Sequence, residues 1–342
     1  MQCIEYMHGA WCGNLECYAA LQKAVNSPTM AVFPAGLIKS SASKTKMADA
    51  ASPPPERLVF DPIARRKPFR WSNGARVAIW VIPNIEYFPI ALPGTSIRHN
   101  PVPLKPDIPN HSWREYGPRV GVWRMMDCMA RFGVPGTVAL NAAVCDHYPA
   151  ILEAARELKW EFMGHGWTNA EMLPGMAEDD ERLLLARVRD RMRAFFGVAP
   201  RGWLSPALNE TWATPDLLKE TGYQYTCDWV HDDQPTWLQT RSGPLMTMPY
   251  SLELNDLPVF ITRQQTPEDF LRIICAQFDQ LYEDGDRHAR VMAIALHPFV
   301  IGTPHRARAL ADAFRYLQGR AEVWFATAGE IADDFIRQTA RP

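Results

Sequence analysis

Several side chains able to do acid–base chemistry follow short apolar runs. Glu86, Asn141, His165, Ser205, Asp228 and His297 stand at or just beyond RVAIWVI, GTVAL, EFMG, GWL, YTC and RVMAIAL. A carboxylate and an imidazole flanking one bond can hydrolyse it: one takes a proton from water, the other gives a proton to the departing atom. Trp167, Trp203 and Trp229 recur beside these groups, and Asn169, Asp232 and Asp233 lie a few residues further on. Such residues can supply aromatic walls and polar contacts to a small substrate. Alone, Glu86 also reads as a solvated loop carboxylate, and His165 as a histidine paired to backbone beneath the loops. The recurrence of the six after successive apolar runs is what points to a site.

The elements that must position them follow from the pattern. Residues 77–82 are bulky and apolar on both faces, which predicts a strand buried on both sides, as in a parallel sheet covered by helices, with Pro83 ending its ladder. Further strands are expected at 136–140, 161–163, 202–204, 225–228, 290–296 and 322–325. Helices are expected at 119–132, 149–158, 179–196, 267–282, 304–317 and 327–337. The longest of these carries Leu183, Leu184, Val188, Met192 and Phe195 as its apolar stripe. Residues 89–118, with prolines at 93, 101, 103, 106 and 109, read as a long functional loop without regular structure. The alternation predicts an α/β fold, a closed or nearly closed (β/α) barrel, because only there do all the strand ends converge on one mouth.

Composition narrows the class. A chain of 342 residues that is 47% hydrophobic can bury a substantial core. Its net charge of -2 leaves no basic excess for nucleic acid or an anionic membrane, and no apolar run approaches the ~18 residues a bilayer requires. Seven cysteines without Cys-x-x-Cys or Cys/His zinc spacing read as thiols of a cytoplasmic protein, those at 128, 145, 227 and 275 being buried. Residues 1–56 differ from the rest: 39–55 is a Ser-, Ala-, Lys- and Pro-rich stretch, expected to be a disordered linker, with a native start near Met47 and the folded domain at 57–342. The segment does not have the pattern of a secretory signal.

The motifs NIEYF, HGWTN at 165–169, APRGWLSP at 199–206, CDWVHDD at 227–233 and LHP at 296–298 stand in the order found in the polysaccharide deacetylase (NodB-like) superfamily, which this chain resembles over about residues 60–335. EYGPRVGVWR, GHGW, LYEDG, IALH followed by IGTPHRA, and VWFA resemble its allantoinase branch. The resemblance implies a distorted (β/α) barrel of the polysaccharide deacetylase type that hydrolyses a carbon–nitrogen bond of an amide or ureide. Metal-dependent members carry two adjacent carboxylates in the first motif and His-x-x-x-His in the next. Here the corresponding residues are Glu86 with Tyr87, and His165 with Asn169, so one strong ligand of three remains and no metal or other cofactor is expected. The motif arginine is replaced by Leu204 unless Arg201 substitutes. The resemblance puts Glu86 at the base position, and the chemistry of metal-free hydrolysis makes Glu86 the base or water-orienting group, His297 the acid or oxyanion donor, and His165 a donor or substrate ligand. Trp167, Asn169, Trp203, Ser205, Asp228, Asp232 and Asp233 bind substrate or orient a histidine. Thr168, Asn169 and Ala207 replace Arg and Trp residues of the allantoinase branch, which favours a related small amide over allantoin itself. The expected protein is thus a metal-independent amidohydrolase acting on a small cyclic or linear amide or ureide, and a homo-oligomer. A zinc-dependent deacetylase of N-acetyl sugars and a non-catalytic ligand-binding barrel remain as alternatives.

Overall fold

β1 (Val77–Ile85) is buried at all nine positions and carries the sheet. Val, Ile and Trp on both faces leave neither side for water, so both of its edges and both of its faces are covered. β2 (Thr137–Leu140), β3 (Glu161–Gly164), β4 (Gly202–Trp203), β5 (Tyr225–Thr226), β6 (Thr236–Leu238), β7 (Leu245–Thr247), β8 (Arg290–Leu296) and β9 (Val323–Phe325) complete it. The order is β6-β7-β5-β4-β3-β2-β1-β8, parallel except for the β6–β7 hairpin. β8 runs the length of β1, from Val77 opposite Arg290 to Pro83 opposite Leu296. The other edge of β1 is shared by β9 at its start and β2 at its end. This computed structural model describes residues 56–92, Gly94 and 105–339, and the expected N-terminal extension lies outside them apart from Glu56.

The sheet curls into a distorted (β/α) barrel. Beyond β7 the chain crosses to β8, where Ala295 N–H donates to Leu254 O at 2.9 Å and Asn255 bridges Ala295, so the open side is nearly closed. The helices are α1 (Ile108–Tyr116), α2 (Val122–Arg131), α3 (Val144–His147), α4 (Pro149–Glu157), α5 (Glu178–Phe196), α6 (Thr214–Glu220), α7 (Pro267–Asp284), α8 (Pro298–Ile301), α9 (Pro304–Gln318) and α10 (Ala328–Gln338). No helix among the described residues is long and apolar enough to cross a membrane.

Three local expectations need correction. Pro83 does not end the β1 ladder. Ile79 O and Ile85 O both bond toward the β9 and β2 edge, so Pro83 turns its missing N–H to that edge too, where the β2 register begins only at Asn84. The Pro-rich excursion is not without regular structure either: α1 forms inside it, with Pro109 in the first turn and the Asp107 side chain accepting from Asn110 N–H at 3.2 Å. A first-turn proline lacks only an N–H that would have no helical partner. On α5 the buried stripe is Leu184, Leu185, Val188 and Met192, while Leu183 is 67% exposed. Helical spacing from buried Glu181 selects Leu185 over Leu183. The β6–β7 hairpin and α6 were not foreseen.

Candidate active site

Glu86, His165 and His297 meet at the carboxyl ends of β1, β3 and β8. Glu86 Oε1 lies 3.5 Å from His165 Nε2 and 3.9 Å from His297 Nε2, with all three side chains at most 10% exposed. Asn169 donates its side-chain amide to Glu86 Oε1 at 2.7 Å. Asn141, at the end of β2, ties the loops together: its Oδ1 accepts from Tyr87 N–H at 2.9 Å, and its amide donates to His165 O and, at 3.4 Å, to Asn169 Oδ1. The three groups open onto a cavity of about 340 Å³. Its polar side adds Asn84, Arg114, Tyr250, Asn255 and Thr262, and its other wall is largely aliphatic, built from Met172, Leu204, Leu208, Leu257 and Ile261, with the Phe88 ring beside Arg114. Ala207 and Leu208 hold this wall with φ of 54° and 55°. Two successive left-handed non-glycine residues store backbone strain beside the site.

The hydrogen bonds fix how the imidazoles face. His165 Nδ1 is 2.6 Å from Leu204 O, which can only accept, so Nδ1 carries a proton and Nε2 faces Glu86, donating to the carboxylate when the ring is a cation and offering a lone pair when it is neutral. His297 Nδ1 lies 2.7 Å from Asp256 Oδ1, and His297 N–H donates to Asp256 Oδ2 at 2.9 Å. Burial opposes charge on both sides of the pair, yet the Asp256 charge and hydrogen bond, with Glu86, raise His297 above its usual value. Burial pushes the Asp256 carboxyl up against the pull of His297. Burial also pushes the Glu86 carboxyl up, but the His165 bond and the positive fields of His297, His165 and Arg114 outweigh it and hold Glu86 below the carboxylate range.

The remaining candidates do not line the cavity. Ser205 and Asp228 are bonded to each other, Ser205 N–H and Oγ–H both donating at 2.7 Å, and Trp203 Nε1–H donates to Ser205 Oγ at 2.8 Å within the core. Arg187 covers the Trp167 ring at 3.6 Å, and Trp229 Nε1–H donates to Glu210 at 2.9 Å. None of these tryptophans lines the cavity, whose aromatic lining is Phe88 and Tyr250. Asp232 pairs with Arg66 at 2.9 Å, and Asp233 O accepts from Val291 N–H at 2.8 Å, near the start of β8. Six residues of strand separate Val291 from His297, on the order of 20 Å. The aspartate that orients a histidine is therefore Asp256 rather than Asp228, Asp232 or Asp233. Arg201 does not reach the site, being paired with Asp333 and bonded to Gln224. Sequence reasoning missed Asp256, Arg114, Tyr250 and Asn255. The signal for Asp256 was a lone acid in the apolar stretch LNDLPVFI.

The residues do not fit a divalent metal at the position its resemblance implies. Tyr87, at the carboxylate-ligand position, stacks on His147 with ring centroids 3.9 Å apart. Asn169, at the second-histidine position, aims N–H protons at Glu86 where a ligand would need a lone pair. Among the described residues no group of three or more His, Cys, Asp or Glu is arranged to hold a metal ion.

A sequence profile of the family described as polysaccharide deacetylase matches residues 115–226. A Schizosaccharomyces pombe protein provisionally named a polysaccharide deacetylase is 29% identical over 236 residues, spanning 64% of this chain and 73% of that protein. A protein of Pseudomonas aeruginosa PAO1 named a probable polysaccharide deacetylase superposes with a TM-score of 0.70 at 27% identity, covering 78% of this chain and 93% of its own. The structure of PuuE allantoinase does so with a TM-score of 0.70 at 26% identity, covering 78% of this chain and 92% of its own.

Proposed function

This chain belongs to the polysaccharide deacetylase (NodB-like) superfamily of hydrolases acting on carbon–nitrogen bonds, and from that premise we propose that it is a metal-independent amidohydrolase of a small cyclic or linear amide or ureide. The observation that carries the reading is the Asn169 amide on Glu86. Where a metal site would need a second histidine, Asn169 gives the base a neutral donor instead, so protein groups alone hold Glu86 for proton transfer. The likeness to PuuE allantoinase supports the ureide class. The modest cavity, largely aliphatic on one wall and with its Phe88 ring covered by Arg114, supports a small substrate over a sugar chain, which stacks on open aromatic faces.

In this reading a water donates one hydrogen bond to Glu86 Oε1 and the other to the lone pair of His165 Nε2. Glu86 takes a proton as the water oxygen attacks the amide carbon. The tetrahedral intermediate then collapses, breaking the carbon–nitrogen bond as the His297 imidazolium protonates the departing nitrogen. Asp256 stabilises that imidazolium and fixes its tautomer. The products are a carboxylic acid and an amine, or a single ring-opened acid from a cyclic substrate. The Glu86 proton returns to His297 through solvent.

The test is hydrolysis of hydantoins, ureides, simple amides and N-acetyl sugars, each with and without a chelator. Turnover of a small amide or ureide that survives chelation is the expected result. Turnover restricted to N-acetyl sugars, lost on chelation and restored by zinc, would overturn the proposal in favour of a metal-dependent deacetylase. Ligand binding with no turnover across the panel would mark a binding barrel.

A further inference from the structure

We propose that Arg114 is a positioning residue: wedged between the aromatic rings that follow the base and the acid, its guanidinium sets the spacing of Glu86 and His297 and faces Glu86 with a fixed positive charge. The inference rests on the reading of Glu86 and His297 as base and acid. Arg114 is 9% exposed and lines the cavity together with both. Its guanidinium carbon lies 3.6 Å from the Phe88 ring centroid and 5.7 Å from that of Phe299. Phe88 follows Glu86 by two residues, and Phe299 follows His297 by two. One planar cation thus contacts both catalytic loops, from a helix of neither.

The helix carrying it is locked to the His297 side. Beyond α1 the chain makes a π turn, Gly117–Gly121, that runs into α2. A Cβ on Gly117 would sit 3.1 Å from Phe299 N, and one on Gly121 only 2.0 Å from Pro298 O. Glycine is required for the turn to lie so close to the backbone after His297. Tyr116 Oη–H reaches Gly302 O at 3.5 Å, and Arg124 donates to the same carbonyl and, at 2.8 Å, to Tyr116 Oη. The EYGPRVGVWR motif therefore builds a rigid seat against α8, and Arg114 projects from its leading end across to Phe88.

Burial brings Arg114 down to about 10, which leaves it a cation at neutral pH. The charged and titratable groups facing Glu86 are His165 from the loop after β3, His297 after β8, Arg114 from α1 and Tyr250 after β7. Asp256 lies behind His297, and Asp107 also faces Arg114. Arg114 keeps its charge throughout the working range, whereas His297 gives up its proton in the reaction.

Arg114→Met is expected to lower kcat at least ~10-fold with KM little changed, and to move the acid limb of the pH profile up by about one unit. Arg114→Lys, which keeps the charge but not the planar stack, should restore the acid limb and recover kcat only in part. Phe88→Leu and Phe299→Leu, which keep the guanidinium, should lower kcat without moving that limb. Carbon-13 titration of the Glu86 carboxyl, assigned by comparison with Glu86→Gln, reads the same shift without any substrate. A Glu86 titration unchanged in Arg114→Met would overturn the proposal. So would a rise in KM at constant kcat, which would make Arg114 a substrate anchor. If the wild type hydrolyses no amide, the functional reading fails while the Glu86 titration still decides the part played by Arg114.

Discussion

Asp256 accepts from His297 twice, from the backbone N–H at 2.9 Å and from ring Nδ1–H at 2.7 Å, and from Ile301 N–H at 3.1 Å. The same carboxylate that sets the tautomer of the ring thus also fixes the turn that carries it. Asp256→Asn keeps the shape but removes the charge that favours the imidazolium, and its amide can face the ring with N–H protons. The expected loss in kcat is about 100- to 10,000-fold, the usual contribution of a positioned acid. The alkaline limb of the profile should move to lower pH. Steady-state kinetics across pH checks both, and an unchanged alkaline limb would remove His297 from the role of acid.

The directions at Glu86 and His297 predict the profile of the wild type. Glu86 sits below 4.5, so the base is available down to an acid limb under that pH. His297 sits above 6.5, so the proton donor persists until an alkaline limb beyond it. The activity is then a broad plateau between them. Because the Glu86 value is depressed on folding, its contribution to stability is present above the unfolded carboxylate value and is lost as pH falls through the folded one. Asn169→Ala removes a donor to the charged carboxylate, a bond worth about 1.5–3 kcal/mol. It should raise the acid limb and lower activity near pH 5 more than near pH 7. A uniform loss at all pH values would place Asn169 on the substrate instead.

How far the sequence was legible differs by element. β1 and β8 announce themselves, because strands buried on both faces are unbroken apolar runs. Glu86, His165 and His297 stood where those strands and β3 end, so the barrel that joins the strand ends also joins the residues. Asp256 follows no apolar strand. It enters on the segment crossing from β7 to β8, and only the closure of the barrel brings it to His297. Arg114 was hidden by the proline density around α1, which read as loop although Pro109 falls in a first turn. The tryptophans misled because an aromatic beside a polar motif looks alike whether it turns to the cavity or away. Arg187 on α5 draws Trp167 outward, and Ser205 holds the Trp203 indole in the core.

The contact between Gly121 and the turn after His297 gives a last prediction that needs no substrate. A Cβ at Gly121 would fall 2.0 Å from Pro298 O and 2.8 Å from Pro298 C, both backbone atoms that cannot swing aside as a side chain would. Gly302 packs against the same place, so the opposing chain has no slack. Gly121→Ala should therefore cost more than the ~1–3 kcal/mol typical of an overpacked core methyl. Gly133→Ala is a control for added volume, because nothing lies within 4 Å of its Cβ, although its φ of 59° adds local strain. Denaturant unfolding of both variants separates the two costs. If Gly121→Ala is no less stable than Gly133→Ala, the π turn is not seated on Pro298, and the path from α1 to the His297 loop is not rigid.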